Sequence, residues 1–286
     1  MNKTHRIHNF NDSAASYDIV AILQREIGNR LLDRLDFVKM APSCVLDVGA
    51  ATGYCARLLE KRYKGADIIC LDIAENRLQL ARKKTGWFHR QHFICGDMEA
   101  LPLADASVDI LFSNLTFQWT TSLTHTFAEC FRVLKPGGLI MFSTFGPDTL
   151  KELRASWAAI DSDIHVNSFI DMHDVGDALL AARFSQPVVD RENITMTYKH
   201  VKQLLEDLKG LGASQVDAPK HKRHFVGKEK MQAMIKFYES HYHQDGCFPA
   251  TYEVLYAHAW KPELHVMKVR NKINEPVYIP VGVVSR

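Results

Sequence analysis

The stretch Val45–Glu60, VLDVGAATGYCARLLE, decides the fold that this sequence predicts. It begins with an apolar run typical of a buried strand, turns between Gly49 and Gly53, and continues as an amphipathic helix. In a dinucleotide-binding turn, the second of three fixed glycines lets the backbone approach a pyrophosphate. Ala51 stands at that position, and Tyr54 at the third. The turn therefore favours a nucleotide-like cofactor that has no pyrophosphate.

Strand and helix patterns alternate on both sides of this stretch. The predicted strands are Cys44–Val48, Asp67–Leu71, His92–Cys95, Val108–Ser113, Leu139–Phe145, Val188–Thr197 and Thr251–Trp260. The predicted helices are Ser13–Lys39, Tyr54–Tyr63, Glu75–Lys84, Leu123–Leu134, Pro147–Ile160, Met172–Ala182, His200–Leu208 and Lys228–His243. The sequence KPGG at residues 135–138 predicts a helix stop and a turn. Together these patterns predict an α/β fold, a doubly wound, mostly parallel, seven-stranded sheet with a helical cap.

Composition narrows the classes of function. The 286 residues include 35 Lys and Arg against 33 Asp and Glu, and a net charge of +2 does not suggest a nucleic-acid binder. No apolar run is long enough to span a bilayer, and the N-terminus lacks the apolar core of a signal peptide. The six cysteines are scattered without a Cys-x-x-Cys pair, as expected of reduced thiols. We therefore expect a cytoplasmic protein with no membrane or nucleic-acid partner.

Side chains suited to a nucleoside follow the first four predicted strands. Asp72 lies about 20 residues beyond the turn, where a carboxylate can accept hydrogen bonds from ribose hydroxyls. Asp97, with Met98 beside it, is placed to meet an adenine amino group, and Asn114 follows the fourth strand. S-adenosylmethionine (SAM) is a cofactor without phosphates that suits this set. The predicted cofactor-binding residues are Asp47, Gly49, Ala50, Ala51, Gly53, Asp72, Ile73, Asp97, Met98 and Asn114.

Four segments resemble, in order and with the right spacing, the motifs of class I SAM-dependent methyltransferases. They are VLDVGAATG, LDIAENRL, GDMEALPLADASVDILFSN and FRVLKPGG. Ala51 departs from the family pattern, which usually has glycine there. The alternative is an α/β protein with a vestigial site. The resemblance divides the chain into a lid segment (1–41), a SAM-binding core (42–146), a cap with the last strands (147–262) and a tail of unknown role (263–286).

The flanks resemble the malonyl-acyl-carrier-protein O-methyltransferases of biotin synthesis, from about Phe10 to Pro262. The segments that carry this resemblance are FNDSAASYDIVAILQREIGNRLLDRL, NLTFQW, FSTFGPDTLKELR, HVNSFIDMHDVGDALL, LLEDLKGLGA and PATYEVLYAHAWKP. The resemblance implies methylation of the free carboxylate of malonyl-acyl carrier protein. A carboxylate with a pKa near 4 is ionised at neutral pH and needs no general base. The sequence accordingly shows no Ser-His-Asp arrangement, and no Asn-Pro-Pro-aromatic tetrad after the fourth strand.

The resemblance also suggests catalytic candidates. Tyr17 matches the family's N-terminal tyrosine, which is expected to close over the cofactor or to orient the carboxylate. The alternative is an aromatic residue at a helix start that packs on the core. Gln118 is expected near the mouth as a hydrogen-bond donor, and Trp119 as a wall. Ser143, like its neighbour Thr144, either lines the malonyl pocket or satisfies backbone groups at a strand end. Arg154 is a candidate partner for the carboxylate, or an ordinary solvated arginine.

An acidic carrier protein calls for a basic docking surface. Between Lys199 and Lys230 there are eight Lys or Arg against four Asp or Glu. The densest part contains Lys220, Lys222 and Arg223, which we expect to dock the carrier; a solvated loop is the alternative. The 14 histidines show no zinc-motif spacing, so no metal is expected.

Three other functions remain open from the sequence. One is a relative of the respiratory complex I assembly factor that is thought to bind SAM and hydroxylate a protein arginine. It shares the AEN after the second strand and the PATY near the end. The others are a small-molecule methyltransferase and a non-enzymatic binding module.

Overall fold

A single sheet organises the protein in the computed structural model, which describes residues 3–213 and 227–263. Within those ranges seven strands run in the order β3-β2-β1-β4-β5-β7-β6. Strands β1 to β5 are parallel to one another, whereas β7 is antiparallel to both β5 and β6. The predicted fold class is confirmed. The strands are β1 Cys44–Val48, β2 Asp67–Asp72, β3 Gln91–Cys95, β4 Val108–Asn114, β5 Leu134–Phe145, β6 Ser185–Tyr198 and β7 Phe248–Trp260.

Helices cover both faces of the sheet and bury two separate apolar clusters. Successive residues of β1 contribute to opposite faces: Val45 belongs to one cluster and Leu46 to the other, and both are fully buried. Parallel strands read as continuous apolar runs because both of their faces are covered. The helices are α1 Lys3–Asp12, α2 Ala14–Val20, α3 Ile22–Arg34, α4 Tyr54–Arg62, α5 Glu75–Lys83, α6 Leu123–Val133, α7 Lys151–Ala158, α8 Met172–Ala181, α9 Val201–Gly210 and α10 Lys228–His241.

The N-terminal region differs from the single helix predicted over Ser13–Lys39. The chain breaks at Ala21, whose ψ of 40° lies outside the helical range, so α2 and α3 are separate helices. The sequence did not predict α1, which is mostly polar. It buries Phe10 and Arg6 against the rest of the protein, and this tertiary packing rather than its own periodicity stabilises it.

The KPGG segment is also not the turn that the sequence predicted. Strand β5 begins at Leu134 and continues through it. The Gly137 amide donates to the Lys261 carbonyl at 2.9 Å, and the Lys261 amide donates to the Gly138 carbonyl at 2.8 Å. The segment therefore pairs with the chain just after β7. Gly137 adopts a φ of 76°, which glycine allows without strain, so the strand bends there instead of ending.

No helix in the described ranges combines the length and the apolar character needed to cross a membrane.

Candidate active site

A narrow cleft of about 80 Å³ lies at the carboxyl ends of β1 to β4. Strand β1 lies between β2 and β4, so the cleft sits where the strand order reverses, the usual ligand position in open α/β sheets. The structure thus brings seven predicted cofactor residues together, although their binding role stays a prediction. They are Gly49, Ala51, Asp72, Ile73, Asp97, Met98 and Asn114.

Asp72 ties the glycine turn to the end of β2. Its buried carboxylate accepts hydrogen bonds from the amides of Ala51 and Ala74, both at 2.8 Å. Burial raises the pKa of Asp72, while the charge of Arg77 and these amides oppose that rise. A carboxylate offers about four lone-pair sites, so Asp72 can fix the turn and still accept a hydrogen bond from a ligand hydroxyl.

Ala51 adopts a left-handed backbone conformation, with φ of 48°. Such a conformation costs an L-residue roughly 1–2 kcal/mol. The residue lines the cleft and is only 8% exposed. The departure from the usual glycine is therefore accommodated at the expense of backbone strain.

Ala51→Gly should raise the free energy of unfolding by about 0.5–1 kcal/mol, since relief of 1–2 kcal/mol of strain exceeds the entropy cost of glycine. Urea unfolding followed by circular dichroism measures the change, and calorimetry should show that SAM affinity does not fall. The matched control is Ala50→Gly, because Ala50 has no positive φ and should only lose stability. A destabilised Ala51→Gly variant would contradict the assignment of strain.

A smaller pocket beside the turn contains acceptor oxygens that lack hydrogen-bond donors among the described residues. Asp47 and Gln24 both line it. Asp47 Oδ2 and Gln24 Oε1 are buried and have no hydrogen-bond partner among the described residues. Burial, and then the charge of Asp72, raises the pKa of Asp47 to about 7, although the Ala56 amide opposes this rise. Two unpartnered acceptors in one pocket fit a cationic donor such as the α-ammonium group of SAM.

Helices α1 and α2 place Lys3, Arg6, Phe10 and Tyr17 along the cleft. The Arg6 guanidinium donates to the Trp119 carbonyl, and the Phe10 ring packs edge-on against the Trp119 ring, with centroids 5.3 Å apart. Ligand pockets usually have volumes of roughly 300 Å³ or more. We therefore expect α1 and α2 to shift when a nucleoside-sized ligand binds.

The predicted adenine end of the cleft is occupied by a protein cation. The Lys3 ammonium forms ion pairs with Asp97 and Glu99. Burial opposes ionisation of Glu99, but hydrogen bonds from Lys3 and Thr121 outweigh it and lower the pKa of Glu99. A ligand that hydrogen-bonds to Asp97 must share this carboxylate with Lys3, a competition that the sequence did not predict.

A larger cavity of about 660 Å³ adjoins the cleft. Helices α7, α9 and α10 and the loop before α8 supply about half of its lining residues. The walls are mainly apolar and include Leu153, Trp157, Phe169, Leu205 and Met231. Five residues line both cavities: Phe10, Tyr17, Arg77, Leu115 and Trp119. We call these five residues the junction. A group transferred between ligands in the two cavities must pass the junction.

Comparisons with known proteins agree with this geometry. A family described as a methyltransferase domain matches residues 46–142. A malonyl-[acyl-carrier protein] O-methyltransferase of Gallionella capsiferriformans is 46% identical over 259 residues, which cover 88% of this chain and 89% of the relative. The enzyme of that name from Methylovorus sp. is 47% identical, covering 90% of this chain and 88% of the relative.

This chain belongs to the malonyl-[acyl-carrier protein] O-methyltransferase family. Membership confirms the resemblance that the sequence motifs suggested and makes the chain a methyltransferase. Among solved structures, the YcgJ protein of Bacillus subtilis superposes with a TM-score of 0.58 at 17% identity, covering 82% of this chain and 99% of that one. At that identity the likeness shows the fold alone.

The structure separates the four catalytic candidates suggested by this family resemblance. Tyr17 and Trp119 lie at the junction, and Gln118 lines the large cavity. The Gln118 amide nitrogen donates to the Leu115 carbonyl at 2.7 Å, so one of its two N–H donors is already engaged within the protein. Burial raises the pKa of Tyr17 to about 12, against the opposing charge of Arg77, and its phenol is therefore protonated at neutral pH.

Ser143 does not line either cavity. It is fully buried, and its hydroxyl donates to Asn114 Oδ1 at 2.8 Å and accepts from the Leu115 amide at 3.1 Å. The geometry therefore does not support a catalytic contact between this residue and the substrate. Ser143 instead positions Asn114, whose amide also donates to the Gln24 carbonyl at 2.8 Å. The strand-end alternative is the one that the geometry supports.

Arg154 is neither a carboxylate partner nor a solvated side chain. Its guanidinium donates to the carbonyls of Pro147 and Thr149, both at 2.9 Å, and to that of Asn167 at 3.4 Å. These bonds hold the start of α7 against the loop before α8. The side chain is absent from the lining of the large cavity, so its suggested role in binding the malonyl carboxylate is not supported.

Several residues at the site were missed by sequence reasoning. Gln24 and Arg77 lie on helices α3 and α5, where their spacing resembles that of any polar helix position. Phe10 lies on a helix that the sequence did not predict. No local signal distinguishes them, because their functional position comes from how the N-terminal helices pack on α5.

The predicted docking residues Lys220, Lys222 and Arg223 lie outside the described residues. Among those described, Asp161, Asp163 and His165 form one group with metal-ligand spacing. The Lys230 ammonium lies 2.8 Å from Asp161 Oδ2. A cation already balances this group, which gives no reason to revise the expectation of no metal.

Proposed function

We propose that this chain transfers the methyl group of SAM to the free carboxylate of malonyl-acyl carrier protein, giving the methyl ester needed for biotin synthesis. The junction carries this proposal, because it connects a cleft suited to SAM with an apolar cavity large enough for an acyl substrate. Curated relatives with 46% and 47% identity and this name support the choice of substrate.

The residues of the junction suit a nucleophile that is already ionised. None of the five is a histidine or a carboxylate, and the Tyr17 phenol is protonated. A malonyl carboxylate needs no base. Its oxygen forms a bond to the methyl carbon, the carbon–sulfur bond breaks, and the electron pair stays on sulfur as a neutral thioether. No proton moves, so the contribution of the protein is positioning and exclusion of water.

The acceptor groups around the turn support SAM as the methyl donor. Asp72 has the position and the spare lone pairs to accept from ribose hydroxyls. Asp47 and Gln24 provide unpartnered oxygens for the α-ammonium group. None of these contacts requires a phosphate. This agrees with Ala51 at the position where a dinucleotide-binding turn has the glycine that approaches a pyrophosphate.

An acidic carrier protein as partner is supported by charge near the large cavity. Lys209 lines that cavity at the end of α9, and Lys228 begins α10, the helix whose Met231 also lines it. A basic rim of this kind orients an acidic partner without adding much affinity. We expect the reaction to take place in the cytoplasm, where the acyl carrier and SAM are available.

Transfer of labelled methyl groups from SAM tests the proposal. Malonyl-acyl carrier protein should acquire base-labile label, with much less on malonyl-coenzyme A and none on the unloaded carrier. Raised ionic strength should slow the reaction with the carrier more than that with malonyl-coenzyme A, because it screens the docking charges. Binding of SAM without label on the malonyl carrier would overturn the proposed substrate.

A further inference from the structure

The reaction places two charged groups next to each other at the junction. The malonyl carboxylate must meet the methyl group there, so a cation at the junction can hold the carboxylate and select for it. Among the five junction residues, Arg77 is the charged one. Lys209 lines only the large cavity, and the Arg154 guanidinium is engaged by carbonyls.

Arg77 is held rigidly but keeps one edge of its guanidinium open. The side chain is 6% exposed and lies 4.5 Å from the centroid of the Phe10 ring and 4.3 Å from that of Tyr17. Nε donates to the Phe10 carbonyl at 3.1 Å. Nη2 donates to Ser13 Oγ at 3.0 Å and to the Leu211 carbonyl at 2.8 Å. Within the part of the chain that the structure describes, Nη1 has no hydrogen-bond partner.

This arrangement favours recognition of an anion. A guanidinium offers five donors in a fixed plane, and here Nε and Nη2 are used to lock that plane. Stacking between two aromatic rings removes the freedom to swing away, so little entropy is lost when a ligand binds Nη1. The buried carboxylate of Asp72, whose pKa is raised by burial and lowered by the charge of Arg77, is already engaged by two backbone amides.

We propose that Nη1 of Arg77 binds one oxygen of the substrate carboxylate and leaves the other oxygen free to attack the methyl group. The inference rests on the proposed function, since it names the residue that recognises the acceptor in that reaction. Arg77 also connects α5 to the N-terminal helices and to the end of α9.

Arg77→Met should raise the KM for malonyl-acyl carrier protein on the order of 10- to 100-fold, the size expected when a charge-assisted hydrogen bond is lost. A merely structural role would also raise KM, so the deciding readout is a ratio. We would measure dissociation constants for malonyl-pantetheine and for its methyl ester, with S-adenosylhomocysteine bound. The wild-type protein should prefer the charged ligand, and Arg77→Met should lose that preference. Because S-adenosylhomocysteine is kept saturating for both ligands, a change in cofactor affinity does not enter the ratio.

Two further variants guard against a folding effect. Arg77→Lys keeps the charge without the planar fork, and it should retain part of the preference for the charged ligand. Arg82→Met removes an exposed arginine from the same helix and should behave as the wild type. If Arg77→Met keeps the full preference, or if Arg77→Lys loses it completely, the inference about Arg77 is overturned and the proposed function stands. If the wild type does not methylate the malonyl carrier, the proposed function fails first.

Discussion

Gly49→Ala should lower the free energy of unfolding by about 3 kcal/mol and abolish measurable SAM binding. A Cβ built on Gly49 would lie 2.0 Å from Thr116 Oγ1 and 2.7 Å from Thr116 Cβ, so the backbone itself would have to move. The φ of 77° adds the strain of a left-handed alanine. Because Gly49 lines the cleft, any shift of the turn also displaces the acceptors that surround it.

Gly53→Ala is the matched control for this variant. Gly53 has nearly the same φ, 76°, but its added Cβ would meet the Ala81 Cβ and Arg57 Nη1 at 3.1 Å, and the arginine can move away. This variant should therefore lose only about 1–2 kcal/mol, the cost of the backbone conformation. Denaturant midpoints and calorimetric titration with SAM measure both effects. Equal losses in the two variants would show that the clash with Thr116 is relieved at no cost.

Affinity for SAM should fall about 15-fold between pH 7 and pH 5.5 if ionised Asp47 binds the α-ammonium group. The pKa of Asp47 is about 7 in the free protein, so the carboxyl becomes mostly protonated over this range. The α-amino group of the ligand stays protonated below pH 7, and the change therefore reports the protein. Binding should also release protons near pH 7, which calorimetry in buffers of different ionisation enthalpy detects.

The same shift has a consequence for stability. The pKa of Asp47 is higher in the folded protein than in the unfolded chain, so the folded state binds the extra proton. Its stabilising contribution is present below about pH 4 and is lost as the pH rises toward 7. A bound cation offsets this loss, so SAM should raise the melting temperature more at pH 7.5 than at pH 5.5.

Asp47→Asn provides the control for both measurements. The amide removes the titrating group but keeps its shape, so SAM should bind weakly and with little pH dependence between pH 5.5 and pH 7. Asp72 is also buried and its pKa is raised, and any residual pH dependence in this variant is assigned to it. A steep pH dependence that survives unchanged in Asp47→Asn would remove Asp47 from the cofactor site.

The sequence predicted much of the core because its signals are local. Strand β1 has the predicted bounds, and β2, β3 and β4 differ by one residue at an end. Strands β1, β2 and β4 are mostly apolar and buried, and Gly49, Asp72, Gly96 and Asn114 mark where the first four strands end. The failures occurred where distant chain segments decide the structure. KPGG continues as strand because Lys261 pairs with it, and α1 forms because Phe10 and Arg6 find a surface to cover.

By itself, the sequence determined the α/β fold, the edge of the sheet where the predicted cofactor residues lie, and the family. Periodicity, glycine turns and motif spacing are properties of neighbouring residues, so they can be read along the chain. Only the tertiary structure decided which polar groups are already engaged. Ser143 and Arg154 hold the protein together, whereas Gln24 and Arg77 are open toward ligands. The physical reason is that a hydrogen bond between residues far apart in sequence depends on how their helices pack. The periodicity of a single segment does not indicate that packing.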